Sequence, residues 1–183
     1  VQAKGDFGRD GVYMPEYYYD KDNGRKVTKA GFVKDNRGLT YYLDEKGNKV
    51  LGLHEINGDL YYFRRGGAYK YTQLGDMWQD SINYIDGKIY YFGHDGRAIK
   101  NRFYQWGNYW YYFYADGSAA TGAVQINGQQ LYFDKNHGRQ VKGAFAPDGH
   151  YYDENSGELV TNQTRTIKGV TYHFDENGNA TKV

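Results

Sequence analysis

Eight short aromatic triplets recur along this chain at nearly even intervals, and each is followed by a polar, turn-like segment that ends in glycine. Measured from the third residue of each triplet, the spacings are 24, 20, 29, 21, 20, 19 and 22 residues. A period of about 20 residues indicates a stack of small units rather than one globular core with a cleft. The triplets are Tyr17-Tyr18-Tyr19, Tyr41-Tyr42-Leu43, Tyr61-Tyr62-Phe63, Tyr90-Tyr91-Phe92, Tyr111-Tyr112-Phe113, Leu131-Tyr132-Phe133, His150-Tyr151-Tyr152 and Tyr172-His173-Phe174, and the glycines are Gly24, Gly47, Gly67, Gly96, Gly117, Gly138, Gly157 and Gly178.

The composition suits a thin structure with little interior. Leu, Ile, Val and Phe make up only 34 of 183 residues, which is below the level of roughly 20% that warns of disorder. However, the net charge is only +1 and there are 22 tyrosines, each with an apolar ring and a hydroxyl that can reach water. The near-neutral charge argues against a nucleic-acid surface, and no apolar run is long enough to span a membrane. The absence of cysteine excludes a disulfide framework.

Two turn signals divide each repeat. Asn127-Gly128 is a strong hairpin signal, because both central residues of a type I′ turn have positive φ. The second signal is the Asp- and Asn-rich stretch that ends in the repeat glycine, and short runs rich in aromatic and β-branched residues lie between the two turns. Each repeat is therefore predicted to form about one hairpin. Equivalents of the first turn are Asn57-Gly58, Asp86-Gly87, Asp148-Gly149 and Lys168-Gly169, with weaker versions at Arg37-Gly38 and Gly107-Asn108.

These signals predict an all-β fold, a β-solenoid of stacked β-hairpin repeats of about 20 residues, since a lone hairpin is only marginally stable in water. We expect one repeat domain over residues 1–183, with 1–16 as a partial unit or connecting segment. The 29-residue spacing predicts an insertion around Leu74 to Trp78. A chain that begins at Val1 and shows no signal peptide is interpreted as a fragment of a larger secreted protein.

The repeats resemble cell-wall/choline-binding type repeats, and more closely the glucan-binding domain of the glucansucrases. The resemblance covers about residues 17–181 and rests on the Y-Y-F-D-x-x-G core, the N-G hairpin before it and the ending Gln140-Val141-Lys142-Gly143. It implies a non-catalytic carbohydrate-binding module, attached to the catalytic domain of a sucrose-dependent parent enzyme. The implied partners are α-glucan such as dextran, or isomaltooligosaccharides. It also implies a secreted or cell-surface protein of a Gram-positive bacterium. The family's catalytic barrel has no counterpart here, so no catalytic residue is carried over.

The repeat that contains Gln140 and Lys142 is the predicted sugar site. Sugar recognition needs an aromatic face together with side chains that hydrogen-bond hydroxyl groups. Alternate residues of a strand share a face, so Gln140 and Lys142 point outward together if Val141 packs inward. The predicted sugar-binding residues are Tyr132, Gln140, Lys142, Tyr151, Tyr112 and Thr121. The equivalent pairs elsewhere, which depart from the Gln/Lys pattern, are Lys26/Thr28, Lys49/Leu51, Ala98/Lys100, Ala119/Thr121, Leu159/Thr161 and Ala180/Lys182.

Other functions have weaker support in the sequence. Choline or teichoic-acid binding would need recurrent tryptophan, and only Trp78, Trp106 and Trp110 are present. A structural or adhesion module of the cell surface is a further alternative. The Asp20 to Gly24 stretch is similar in composition to a calcium-binding loop but lacks the spacing of an EF-hand. The scattered histidines suggest no metal site. No nucleophile or phosphate-loop motif is present. The prediction is therefore of no enzyme activity, no cofactor and no metal.

Overall fold

The computed structural model describes residues 4–9, 16–66 and 74–183, and every regular element in these ranges is a β-strand. No helix in the described part of the chain is long and apolar enough to cross a membrane. The strands are β1 (Asp6–Arg9), β2 (Glu16–Tyr19), β3 (Gly31–Lys34), β4 (Thr40–Leu43), β5 (Gly52–Ile56), β6 (Asp59–Phe63), β7 (Ser81–Ile85), β8 (Lys88–Phe92), β9 (Arg102–Trp106), β10 (Tyr109–Phe113), β11 (Gly122–Ile126), β12 (Gln129–Phe133), β13 (Ala144–Phe145), β14 (Tyr151–Tyr152), β15 (Gln163–Ile167), β16 (Val170–Phe174) and β17 (Ala180–Lys182).

Consecutive strands pair as hairpins, and the second strand of each hairpin carries all or most of an aromatic triplet. We number the repeats 1 to 8 in the order of their triplets. The all-β repeated-hairpin fold predicted from the sequence is thereby confirmed among the described residues. The pairs are β1–β2, β3–β4, β5–β6, β7–β8, β9–β10, β11–β12, β13–β14 and β15–β16, and β17 adds a third strand to the last of them.

The backbone conformation of most hairpin turns agrees with the turn type that their sequences predict. At Asn57–Gly58, Asp86–Gly87, Asn127–Gly128 and Lys168–Gly169 both central residues have positive φ, as a type I′ turn requires. At Gly107–Asn108 only the glycine does, which is the pattern of a type II′ turn. The expectation that Asp148–Gly149 is equivalent to the Asn-Gly turns is wrong, because only Gly149 has positive φ there. That hairpin is instead closed by the Ala146 N–H, which donates to the carbonyl of His150 at 2.9 Å.

In repeats 3 to 7, the segment that follows the second turn, which we call the bridging segment, joins the repeat to the preceding one. In repeat 6, Gln140 forms a bridge with Phe133 of its own hairpin. The Gln140 N–H donates to the Trp110 carbonyl of repeat 5 at 2.8 Å. Because a two-stranded hairpin leaves backbone groups unpaired along its edge, this bond satisfies groups on both repeats. The same donor–acceptor pattern occurs in Met77 to Thr40, Ala98 to Leu60, Ala119 to Ile89 and Leu159 to Gln130, at 2.7 to 2.9 Å.

The third residue of each triplet forms the core. These residues are at most 5% exposed in all eight repeats: Tyr19, Leu43, Phe63, Phe92, Phe113, Phe133, Tyr152 and Phe174. Several of their rings contact aromatic rings of neighbouring repeats. In one such contact, the centroids of Tyr132 and Tyr152 are 5.7 Å apart. Aromatic rings thus supply the apolar burial that the few aliphatic residues cannot.

The chain divides into two compact units. The first comprises Val1–Ile82 and Tyr91–Ala98, and the second comprises Asn83–Tyr90 and Ile99–Val183. Within the first unit, β1 pairs with β2, so part of the 1–16 segment belongs to a hairpin. The prediction of a single domain over 1–183 stays a prediction.

Part of the segment predicted to be an insertion in repeat 3 belongs to the regular repeat. Met77 bridges to Phe63, so it is the bridging residue of this repeat and not part of an insertion. The turn before it is closed by the Arg64 N–H to the Asp76 carbonyl at 3.0 Å, and by the Gly75 N–H to the Arg64 carbonyl at 2.8 Å. Gly75, with φ of +87°, therefore takes the place of the repeat glycine. Gly67, to which that place was assigned, lies outside the described residues.

Substitution of two glycines in the first unit allows the energetic cost of backbone strain to be distinguished from that of steric overlap. Gly47 and Gly58 have φ of +81° and +85°. A Cβ on Gly58 would meet no atom within 4 Å, whereas a Cβ on Gly47 would overlap the carbonyl oxygen of Val27 in the preceding repeat. We expect Gly58→Ala to cost about 1–2 kcal/mol of left-handed strain, and Gly47→Ala to cost clearly more. Urea unfolding of both variants measures the difference, and equal losses would contradict the close contact between repeats.

Candidate functional site

The three residues of the repeat 6 bridging segment have the predicted orientation. Val141 packs against a cluster that contains Tyr132, Ala146 and Tyr152. Gln140 and Lys142 reach together toward the next turn: Lys142 Nζ donates to the Asn155 carbonyl at 2.8 Å and Gln140 Nε2 to the Ser156 carbonyl at 3.5 Å. A lysine has three donors and a glutamine has both donors and an acceptor. Both side chains therefore retain hydrogen-bonding capacity for a ligand.

The turn beneath these two side chains is fixed by Asp153. Its Oδ1 accepts the N–H groups of Asn155 and Ser156, both at 2.8 Å, and its Oδ2 accepts Arg165 Nη1 at 2.7 Å. A Cβ on Gly157 would overlap Gln140 Nε2. Glycine at this position therefore permits the close approach of the Gln140 side chain.

Acid should loosen this turn. The Ser156 N–H and the Arg165 guanidinium hold the pKa of Asp153 below its usual value, so the carboxylate stabilises the fold above the unfolded pKa of about 3.9. This contribution is lost as pH falls through the lower folded pKa. We expect Asp153→Asn to cost about 1.5 kcal/mol at pH 7 and much less near pH 2. Urea unfolding at both pH values measures this. Glu154→Gln is the control, and a cost that does not depend on pH would contradict the assignment.

The predicted stacking tyrosines lie mostly in the core. Tyr132 and Tyr151 are 2% and 6% exposed, and burial raises the pKa of Tyr132. Tyr112 is half-buried against the cluster that contains Phe133. Their part in sugar binding stays a prediction, whereas their packing around repeat 6 is observed. Phe145 is the more accessible ring in this region, at 41% exposed.

A cavity of about 210 Å³ lies beside the repeat 6 hairpin. Gln125 and Gln130 are direct partners across β11 and β12, and neither they nor the other lining residues carry a charge. These two residues are not among the predicted sugar-binding residues. A two-residue turn at Asn127–Gly128 pairs them by register, so the turn assignment could have identified them. We call this the glutamine cavity, and its lining is Ala123, Val124, Gln125, Gln130, Leu131 and Tyr152.

A second cavity of about 190 Å³ contains Thr121, the remaining predicted site residue. Unlike the glutamine cavity, it is lined by two lysines. Lys88 comes from the repeat 4 hairpin and Lys135 from the second turn of repeat 6. We call this the lysine cavity, and its lining is Tyr84, Gly87, Lys88, Ile89, Ser118, Ala119, Thr121 and Lys135.

The tryptophans of the second unit do not share one face of their hairpin. In the second unit, Trp106 pairs with Tyr109 across the hairpin and Trp110 pairs with Gln105, so the two indoles lie on opposite faces. In the first unit, Trp78 packs on Tyr62 with centroids 4.3 Å apart.

Several aromatic faces are covered by the chain's own cations. Lys26 Nζ lies 3.0 Å from the ring centroid of Tyr17, and Lys49 Nζ lies 3.6 Å from that of Phe7. In the second unit, the Arg139 guanidinium lies 4.1 Å from the ring centroid of Tyr109. These faces are therefore already occupied by attractive partners.

The calcium-like stretch is a turn. Asp20 Oδ1 accepts the N–H groups of Asp22 and Asn23 at 2.9 and 3.0 Å, which is the local hydrogen bonding that favours aspartate in turns. Among the described residues, no group of three or more His, Cys, Asp or Glu side chains could hold a metal ion.

The hairpins, their bridging segments and the buried triplets define a module of short aromatic β-hairpin repeats. The chain contains repeats of the cell wall binding and choline-binding type. The choline-binding repeat model matches residues 120–163, and the putative cell wall binding repeat model matches residues 30–49, 101–119 and 165–180.

The chain is homologous to part of the streptococcal glucosyltransferases. It is 37% identical over 187 residues to Glucosyltransferase-S of Streptococcus mutans serotype c, covering 98% of this chain and 12% of that protein. It is 38% identical over 165 residues to Glucosyltransferase-I of Streptococcus downei, covering 86% and 10%. This chain therefore corresponds to about a tenth of each relative.

Solved structures share the fold. Choline binding protein F from Streptococcus pneumoniae matches with a TM-score of 0.74 and 26% identity, covering 97% of this chain and 57% of that chain. CbpJ from the same species matches with a TM-score of 0.75 and 26% identity, covering 96% and 57%.

Proposed function

We propose that this chain is a non-catalytic carbohydrate-binding module that binds α-glucan, such as dextran or isomaltooligosaccharides, mainly through repeat 6. The observation that carries the proposal is the pair formed by Gln140 and Lys142, which lie side by side over the Asn155–Ser156 turn. A glucan offers many hydroxyl groups and no charge. Its hydroxyl groups can pair with the amide of Gln140, which donates and accepts, and with the ammonium of Lys142, which donates.

The glutamine cavity adds a second set of neutral groups in the same repeat. Gln125 and Gln130 line this cavity of about 210 Å³, and each carries a side-chain amide that can donate and accept hydrogen bonds. Ordered water in such a cavity can be replaced by sugar hydroxyl groups that reproduce its hydrogen bonds. The concentration of glutamine in repeat 6 supports this repeat as the principal binder.

Several weak sugar sites on successive repeats would together bind a glucan polymer tightly. If several repeats engage one polymer, each bound repeat raises the effective concentration of the others. We infer that the hairpins continue as a β-solenoid, which would present such sites along one chain. Small-angle scattering would test this, since a solenoid gives a larger radius of gyration than a globule of 183 residues.

The names of the two relatives support a proposal for the role of this module in a larger protein. Both are named glucosyltransferases, and a module that holds the glucan product beside a glucosyl-transferring catalytic domain would keep the growing chain near the enzyme. We accordingly propose a secreted or cell-surface location in a Gram-positive bacterium.

Choline is the second candidate ligand, because residues 120–163 match the choline-binding repeat model. Titration calorimetry with isomaltotriose, maltotriose, a β-linked glucan oligosaccharide and choline distinguishes the candidates. The proposal expects heat only with the α-linked sugars, and binding of choline alone would refute it.

A further inference from the structure

The lysine cavity carries more positive charge than a site for neutral glucan needs. Two of its eight lining residues are lysines and none is acidic, whereas the glutamine cavity has no charged lining residue. Both cavities belong to the second unit and are of similar volume. The difference between them is therefore chemical, and it favours a ligand with negative charge in the lysine cavity.

Lys88 is held at the wall of this cavity by its neighbours. Its Nζ donates to Asp116 Oδ2 at 2.9 Å, while Asp116 Oδ1 accepts the Ser118 hydroxyl at 2.6 Å. The Ser118 hydroxyl, with help from Lys88, lowers the pKa of Asp116 to about 2. Asp116 therefore stays ionised at neutral pH and orients Lys88, although it offsets one of the two positive charges.

Lys135 supplies the charge that remains. It extends across Gly122, where its Cε would lie 3.7 Å from a Cβ at that position. The adjacent carboxylate of Asp134 is used by its own turn. Its Oδ1 accepts the N–H groups of Asn136 and His137, and its Oδ2 accepts that of Arg139. Asp134 is thus committed to its own turn, where its Oδ1 also lies 3.1 Å from His137 Nδ1.

The rest of the lining suits a sugar. Tyr84 is 68% exposed and offers a ring face to the apolar side of a pyranose, and Thr121 adds a hydroxyl that can donate and accept. The lining thus brings together an aromatic ring, a hydroxyl and an ammonium group.

We propose that the lysine cavity binds a carbohydrate that carries an acidic substituent, with Lys135 as the main charge partner, Lys88 as a second one and Tyr84 as the stacking ring. A uronate carboxylate and a sugar phosphate share this chemistry. The site is separate from the neutral-glucan site of the proposed function. It would give one module two sugar specificities.

The experiment compares acidic and neutral ligands on the intact 183-residue chain. Calorimetry is run with glucuronic acid, glucose 6-phosphate, glucose and inorganic phosphate, against wild type and Lys135→Met. Methionine keeps an apolar stem and removes the charge. Lys168→Met, in the exposed turn between β15 and β16, is the matched control for the change in net charge.

We expect the acidic sugars to bind more tightly than glucose and inorganic phosphate. Lys135→Met should weaken them about tenfold or more, while Lys168→Met leaves them unchanged. Raising NaCl from about 50 to about 500 mM should weaken the acidic sugars and not glucose. Preference for only one of the two acids identifies the acidic group. Equal affinity for acidic and neutral sugars, or unchanged affinity in Lys135→Met, overturns the proposal. A chain that ignores isomaltotriose but binds an acidic sugar through Lys135 would refute the proposed function alone.

Discussion

Replacing Phe133 with alanine should lower the free energy of unfolding of the second unit by about 3–5 kcal/mol. The Phe133 ring is fully buried, in a cluster with Ala120, Ile126 and Leu131. It occupies the third triplet position, which is buried in every repeat. Since each repeat is a thin hairpin with few aliphatic neighbours, little surrounding structure can collapse into the space that the ring leaves.

Phe145→Ala is the matched control in the same unit. Phe145 is 41% exposed and packs edge-on to Tyr151, with centroids 5.2 Å apart, so its removal should cost no more than about 1.5 kcal/mol. Urea unfolding gives the two energies, and hydrogen exchange shows whether β11 and β12 lose protection first. Similar costs for both phenylalanines would show that the triplet does not form the core.

The hairpins could be predicted because their signals are local. An Asn-Gly pair has the positive φ that a type I′ turn needs within its own two residues, and Asn57–Gly58 and Asn127–Gly128 behave accordingly. Asp148–Gly149 does not. Asp148 is instead engaged by the Tyr152 hydroxyl, which donates to its Oδ2 at 2.7 Å. The turn at Asp148–Gly149 thus differs from the Asn-Gly turns, and it is accompanied by a side-chain contact with a residue four positions along the chain.

The position of the insertion could not be read from spacing alone. The spacing shows that residues are added in repeat 3 but does not show where the ladder resumes. That is determined by hydrogen bonds: the Met77 N–H donates to the Thr40 carbonyl of repeat 2 at 2.7 Å, and Arg64 closes the turn with Asp76. Met77 and Arg64 differ in type from their counterparts Lys49 and Asp44 in repeat 2, so the sequence gives no direct signal.

Within one segment, the sequence predicts which side chains of the candidate site share a face. It does not predict which residues of the next repeat they contact. Alternation places Gln140 and Lys142 together and Val141 inward, as the structure has them. The partners that these side chains contact, the carbonyls of Asn155 and Ser156, lie in the next repeat. Burial of Tyr132 and Tyr151 likewise depends on how successive hairpins pack, which no single repeat encodes.

The double variant Gln140→Ala/Lys142→Ala should weaken isomaltotriose binding by about 4- to 100-fold. Each lost hydrogen bond typically costs about 0.5–1.5 kcal/mol, or roughly two- to tenfold, and the two side chains donate to adjacent carbonyls in the same turn. Because the ligand is neutral, the loss should depend little on salt, although one substitution removes a charge. Titration calorimetry measures the affinity, and thermal unfolding confirms that the variant is folded.

Gln129→Ala/Lys168→Ala is the control, because it removes the same two residue types beside the exposed hairpin turns of β11–β12 and β15–β16. Its affinity for isomaltotriose should equal that of the wild type. If the Gln140→Ala/Lys142→Ala variant also binds as the wild type does, the assignment of the sugar to this pair is wrong. Loss of binding in Gln125→Ala/Gln130→Ala would then place the sugar in the glutamine cavity. In that cavity, the affinity lost for each substituted glutamine should be similar to that expected for Gln140→Ala. The reason is that neutral amides would again donate to and accept from the hydroxyl groups of the glucan.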